Sequence, residues 1–174
     1  MSVKTPPQFH SALPAPTVRI FTDFDGTVTH EVIGEALFRH FCGAECFEDI
    51  RGRWTAGELT APEAYGRLCA NSPGLTEEAL RRFLDPYHVD PSFPRFAHWC
   101  GEAGYPLYIL SDGVDAYIRP LLERADVDLP VLCNLLELGG EHPVMHFPHY
   151  DSRCPEIAHC KSNHVALLSR DEDL

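Results

Sequence analysis

The chain has 174 residues, 44% hydrophobic and 23% charged, with a formal net charge of −12. That length and composition describe one ordinary soluble domain with its own core, so neither a disordered chain nor a disulfide-stapled miniprotein is needed. The acidic excess argues against nucleic acid or anionic membrane as a partner, and no apolar run approaches the ~20 residues of a membrane span.

Residues 1–17 hold Pro6, Pro7, Pro14 and Pro16 and show little periodicity, which predicts a flexible leader rather than a signal peptide. Residues 18–22 read as a short strand, stopped by Asp23-Phe-Asp-Gly-Thr27. From Glu31 the spacing turns helical, with Val32, Ile33, Ala36, Leu37, His40 and Phe41 forming one apolar stripe. Thr60 and Glu63 form a capping-box pattern ahead of Ala64, Tyr65 and Leu68, and Thr76 opens a helix bearing Ala79, Leu80, Phe83 and Leu84. Residues 31–90 therefore read as a helical insert. Asp90 and Pro91 start a further helix carrying Phe93, Phe96, Ala97 and Cys100.

Residues 107–110 form the continuous apolar run of a buried parallel strand, ending in Ser111-Asp-Gly113. Residues 114–125 predict a helix with Ile118, Leu121 and Leu122 inward and a kink at Pro120. A strand over 131–134, a hairpin joining 135–138 to 144–147 through Gly139-Gly140, and a closing helix over 155–169 complete the pattern. The seven cysteines, at 42, 46, 69, 100, 133, 154 and 160, are scattered through apolar segments, as reduced core thiols are. Cys154 and Cys160 lie near His149, His159 and His164, a mixture able to hold a soft metal, but their spacing lacks paired short knuckles and loop packing is the expected role. A reducing compartment and a cytoplasmic location follow as expectations.

Strand, helices, strand, helix, strand implies parallel pairing, and ligands then sit beyond the carboxyl ends of the strands. Asp23, Asp25, Ser111 and Lys161 would meet there: two carboxylates, a hydroxyl and an ammonium. Such a set suits phosphoryl transfer. A carboxylate can attack phosphorus, the ammonium and hydroxyl can hold the phosphoryl oxygens, and a second carboxylate can move the proton. Taken singly, Asp23 to Thr27 reads equally well as a hairpin turn, Ser111 to Gly113 as a helix cap and Lys161 as solvated surface; the weight lies in their order. His30, Glu31, Trp54 and Tyr65 are further candidates to face a ligand, though core or surface roles are the expected ones.

At these residues the sequence resembles the haloacid dehalogenase superfamily of aspartate-dependent phosphatases. Its first motif, D-x-D-G-[TS], stands at Asp23-Phe24-Asp25-Gly26-Thr27; its second, a Ser or Thr ending a strand, matches Ser111; its third, a Lys opening a later helix, matches Lys161. The insert sits where the phosphoserine-phosphatase-like branch carries a small helical cap. Within that branch, residues 110–118, Cys133-Asn134, Phe147-Pro148 and the Cys/His loop into Lys161 look like the phosphatases of methionine salvage, which act on 2-hydroxy-3-keto-5-methylthiopentenyl-1-phosphate. The acidic residue that the branch often carries just after its first motif is approximated by Glu31, one position early.

The resemblance implies an α/β Rossmann-like parallel sheet with helices on both faces. The phosphatase core would comprise residues 18–30 and 91–174, with the cap over 31–90. It implies Asp23 as nucleophile and Asp25 as acid and base, both also serving magnesium. Thr27, Ser111, Asp112 and Lys161 would bind phosphate, and the partner would be a small phosphorylated metabolite. Phosphoserine is the second substrate reading. The superfamily's fourth motif, an acidic loop that completes the magnesium site, is not found, and the residues after Lys161 are too few for the helix of ~11 and strand of ~5 that precede it. The expectation is a chain truncated at its C-terminus: an incomplete catalyst with weak metal binding and an exposed sheet edge open to homo-oligomer formation, or a non-catalytic phosphate-binding or regulatory remnant.

Overall fold

A computed structural model describes residues 18–169; the expected leader over 1–17 and the last residues, 170–174, lie outside the described residues. In chain order the elements are β1 (Ile20–Thr22), α1 (Ile33–Cys42), α2 (Ala44–Thr55), α3 (Ala61–Ala70), α4 (Glu77–Phe83), α5 (Phe93–Glu102), β2 (Leu107–Val114), α6 (Asp115–Arg124), β3 (Val131–Glu137), β4 (Val144–His146) and α7 (Lys161–Leu168). The strands form one sheet in the order β1-β2-β3-β4; the first three are parallel and β4 runs antiparallel to β3. Parallel pairing of Ile20 with Leu107 and Thr22 with Ile109 brings the polar segments after β1 and β2 to the same sheet edge.

The helix starts have local causes. Thr60 caps α3 in a complete capping box: its backbone N–H donates to Glu63 Oε2 at 2.8 Å, and Glu63 N–H donates back to Thr60 Oγ1. Thr76 Oγ1 accepts from Ala79 N–H at the start of α4. On α1 the buried residues are Ile33, Leu37 and Phe38, while Val32 and His40 are exposed, so the stripe lies off the expected one. Val32 stands outside the helix at its N-cap. The carboxylate of Asp25 anchors the first turn by accepting from Ile33 N–H at 2.7 Å, which fixes the buried face. Helix α2, absent as a separate element from the sequence reading, buries Phe47 and Ile50.

Other boundaries move as well. Strand β2 runs on through Val114, with a register shift against β3 between Leu110 and Val114. Strand β3 is continuous over Val131–Glu137, because its second half pairs with β4 where its first half pairs with β2. Pro120 lies inside α6 without ending it. Helix α7 starts at Lys161 rather than at 155: the Cys160 backbone is non-helical, and the preceding residues spend their backbone groups on distant partners.

The core lies where β2 meets α6. Ile109 and Ile118 are fully buried, with Leu110, Val114, Tyr117 and Leu121 at 2% exposure or less. All seven cysteines are free thiols. Among the described residues, no helix is long and apolar enough to cross a membrane. Ile109→Ala, which removes a fully buried side chain from the central strands, should cost about 2–5 kcal/mol, read as a lower urea midpoint at unchanged slope.

Candidate active site

Asp23 leaves the end of β1 half-exposed. One of its oxygens accepts from Phe24 N–H at 2.7 Å, and the other lies 2.6 Å from Lys161 Nζ, the first residue of α7. Two residues on, Asp25 turns inward. Its Oδ1 accepts from Ile33 N–H at 2.7 Å and from Gly34 N–H at 3.4 Å, so the start of α1 faces a carboxylate. Its Oδ2 accepts from the Tyr117 hydroxyl at 2.5 Å. The register shift in β2 aims the Ser111-Asp112-Gly113 segment at the same point. Ser111 is fully buried; its Oγ accepts from Gly113 N–H at 3.0 Å and keeps its own proton to donate.

The segment that delivers Lys161 is tied on three sides. Asp112 Oδ1 accepts from His159 N–H at 2.6 Å, and His159 Nδ1, assigned as the protonated nitrogen, donates to the Ser111 carbonyl at 2.9 Å. Cys160 N–H donates to the His149 carbonyl. From the helices inserted between β1 and β2, Trp54 Nε1 donates to Glu156 O and Ala61 N–H donates to Pro155 O. Asn134, also fully buried, donates to the Asp112 carbonyl at 2.7 Å and braces the bulge from β3.

Burial raises the pKa of Asp25 above the ordinary carboxylate value against the hydrogen bonds from Tyr117, Ile33 and Gly34, and the charge of Asp23 adds to the rise. Asp112 is also raised, first by burial, against the His159 N–H bond and the charge of Lys161. His159 is pushed down to about 4 by burial, with His149 and His164 nearby. The three imidazoles cluster with centroids within 4.8 Å of one another, His164 edge-on to the other two, and His159 Nε2 lies 3.0 Å from His164 Nδ1.

Asp23, Asp25, Ser111, Asp112 and Tyr117 line a cavity of about 230 Å³. Gly34, Glu35, Phe38, Trp54 and Tyr65 form a wall common to it and to a second cavity of about 410 Å³, which Phe47, Leu68 and Arg51 also line. Arg51 lies 3.5 Å from Glu35.

Of the residues expected at the site, Asp23, Asp25, Ser111 and Lys161 come together, and Trp54 and Tyr65 reach the cavity wall. Thr27 does not: it is exposed, outside the lining, and its N–H bonds to Phe24 O within the turn. The Asp112 carboxylate faces the His159 N–H, where it fastens a loop; a carboxylate would repel phosphoryl oxygens. His30 pairs with Asp90 at 2.8 Å at the surface, and Glu35, not Glu31, is the glutamate on the cavity wall. The sequence reading places none of Tyr117, Asn134 and His159 among the residues of this site. Tyr117 falls on the apolar face of α6, where the pattern shows only packing.

A parallel sheet carrying these groups beyond its strand ends is a Rossmann-like α/β enzyme domain. A model of the haloacid dehalogenase-like hydrolases matches residues 20–153, and the chain belongs to that family. It is 26% identical over 160 residues to a 2-hydroxy-3-keto-5-methylthiopentenyl-1-phosphate phosphatase of Bacillus mycoides (strain KBAB4), a match covering 90% of this chain and 73% of the relative. The enzyme of that name from Bacillus anthracis (strain A0248) matches to the same extent. Among solved structures, a haloacid dehalogenase family hydrolase, t0658, of Salmonella enterica serovar Typhi superposes with a TM-score of 0.63 at 19% identity, over 78% of this chain and 48% of that one. A phosphoserine phosphatase solved as a phospho-aspartyl intermediate analogue gives 0.59 at 16% identity, over 75% of this chain and 63% of that one. The chain thus spans about half of the first structure's length and under two thirds of the second's.

The depressed His159 pKa makes a prediction about stability. Between the ordinary imidazole value of 6.5 and about 4, the unfolded chain binds a proton there that the folded chain does not, so stability falls as pH drops through that window. Asp25 and Asp112, raised on folding, act in the opposite sense. Urea midpoints of the native chain and His159→Gln, compared from pH 7 to pH 4, should show the shallower fall in the variant.

Proposed function

We propose that this protein is a magnesium-dependent phosphomonoester hydrolase that works through a phosphorylated Asp23 on a small phosphorylated metabolite. The observation that carries the reading is the 2.6 Å approach of Lys161 Nζ to Asp23 Oδ2 beside the buried Ser111 hydroxyl. A half-exposed carboxylate at that spot has two cationic or donor groups ready for the phosphoryl oxygens that must lie next to it.

In the first step Asp23 attacks phosphorus while the bond to the ester oxygen breaks, and that oxygen takes a proton from Asp25. In the second, water attacks the acyl phosphate, gives its proton to Asp25 and releases inorganic phosphate, restoring Asp23. The raised pKa of Asp25 suits a group that must hold a proton at working pH and then accept one. Lys161 and Ser111 hold the phosphoryl oxygens.

The donor set fits a hard dication. The acidic groups facing the cavity are oxygen donors, and to the rise that burial gives Asp25 and Asp112 the charge of Asp23 adds a smaller repulsion, which a cation relieves. Magnesium would be held by the Asp23 carboxylate and the Asp25 backbone carbonyl, and would supply charge neutralisation for the incoming phosphate. Among the described residues, no group of three or more His, Cys, Asp or Glu is arranged as a metal site, the Cys154 and Cys160 loop included.

We assign helices α1 to α4 to a substrate-selecting cap over a core formed by the rest. The larger cavity, walled by Phe38, Phe47, Trp54, Tyr65 and Leu68, suits a substrate whose end remote from the phosphate is apolar, which favours the methylthio-bearing intermediate of methionine salvage. Phosphoserine is the second reading, favoured by the Glu35–Arg51 pair in that wall, which offers opposite charges to an amino-acid head group.

Asp23→Asn should fold like the native chain yet bring phosphate release to background, because the amide cannot attack; unimpaired release would overturn the mechanism. In a panel of small phosphomonoesters assayed with magnesium, the methylthio-bearing ester should show the highest kcat/KM. Preference for phosphoserine would reverse the substrate ranking.

A further inference from the structure

The Tyr117 hydroxyl occupies a seat that the chain has cleared for it. Tyr117 is 1% exposed, and its hydroxyl lies between two glycines. A Cβ on Gly113 would stand 1.9 Å from Tyr117 Oη and 2.9 Å from Asp25 Oδ2; a Cβ on Gly34 would stand 3.1 Å from the same Oη. No side chain fits at 113 while the hydroxyl stays where it is. From that seat it donates to Asp25 Oδ2 at 2.5 Å. Asp25 Oδ1 is engaged separately, by the N–H groups of Ile33 and Gly34. An oxygen that accepts from two fixed backbone donors is a poor place for a further proton, which leaves Oδ2 as the better placed of the two oxygens to exchange one.

We infer that Tyr117 is a positioning residue for the acid–base carboxylate: its buried hydroxyl fixes Asp25 Oδ2 at the place from which a proton reaches the ester oxygen. The inference rests on the assignment of Asp25 above. It concerns the step in which the phosphorus–oxygen ester bond breaks, its electron pair goes to the leaving oxygen, and that oxygen takes the proton of Asp25 as Asp23 bonds to phosphorus. A rotation of the carboxylate that the Oδ1 bonds alone would permit is blocked by the second anchor on Oδ2. Phe24, packed against the Tyr117 ring at 6.2 Å between centroids, belongs to the first motif itself, so the anchor and the nucleophile's segment are packed as one unit.

The test uses leaving-group chemistry, because an aryl phosphate expels its oxygen without needing a proton whereas an alkyl phosphate does not. kcat/KM reports the steps through phosphorylation of the enzyme. In Tyr117→Phe, kcat/KM for alkyl phosphates should fall roughly tenfold to a hundredfold, part of the ~10²–10⁴ that a placed general acid supplies. For p-nitrophenyl phosphate it should fall less than about threefold. Gly34→Ala, which crowds the hydroxyl without removing it, should show the same selectivity and guards against a folding defect peculiar to Tyr117→Phe. Equal losses on both substrate types, or none on either, would overturn the inference. A second readout does not need turnover: the amide proton shifts of Ile33 and Gly34, which report the Asp25 carboxylate, should move in Tyr117→Phe, and unchanged shifts would also overturn it. Absence of hydrolysis by the native chain would count against the phosphatase reading alone, since the amide shifts still decide the role of Tyr117.

Discussion

Three carboxylates, Asp23, Asp25 and Asp112, crowd one corner of the sheet, and the surrounding structure is organised around holding them there. Burial raises the pKa of Asp25 and Asp112, and the charge of Asp23 adds to the rise. Each is kept in place by its own donors. Asp23 has the Lys161 ammonium, Asp25 has the two N–H groups opening α1 together with the Tyr117 hydroxyl, and Asp112 has the His159 N–H. Asp25 and Asp112 are largely withdrawn from solvent, and a carboxylate there without such partners would be costly, so their contacts are conditions for the fold as well as for the chemistry.

Consequently the segment from His149 to Lys161 is part of the site and more than a connection. It makes no regular structure before α7, yet its backbone groups are spoken for by β2, α2 and α3. The polar junction after β2 thereby determines where the lysine stands. Asp112 has no need to touch a phosphate to matter, because releasing its bond to His159 would free the stretch of chain that ends in Lys161. The bonds from Trp54 and Ala61 join the inserted helices to this loop, so a group lodged in the apolar cavity touches elements tied to the segment that carries Lys161.

Much of this was legible in the sequence where the chemistry is local. The short strand stopped by Asp23, the apolar run from Leu107 and the capping box at Thr60 depend on neighbours within a few residues; the capping box and the stop at Asp23 are found where expected, while β1 starts only at Ile20 and β2 carries on past Ser111 to Val114. The parallel order of the strands then brings Asp23 and Ser111 to one edge. What escaped depends on contacts distant in sequence. Tyr117 has the spacing of a core residue, and only the approach of Gly34, Gly113 and Asp25 makes its hydroxyl functional. Glu35 reaches the cavity because α1 starts at Ile33, a boundary set by the Asp25 carboxylate rather than by apolar periodicity. The late start of α7 has the same origin, since residues 155–160 read as helical until their backbone partners are known.

The central claim is that Asp23 becomes covalently phosphorylated during turnover. The direct measurement is to mix the native chain, with magnesium, and a ³²P-labelled phosphomonoester, quench in acid within the first turnovers, and map the label by peptide analysis. The expected result is a transient acid-stable, base-labile phosphoryl group on Asp23. Labelled phosphate released with no protein-bound intermediate at any time, or label found on another residue, would contradict it.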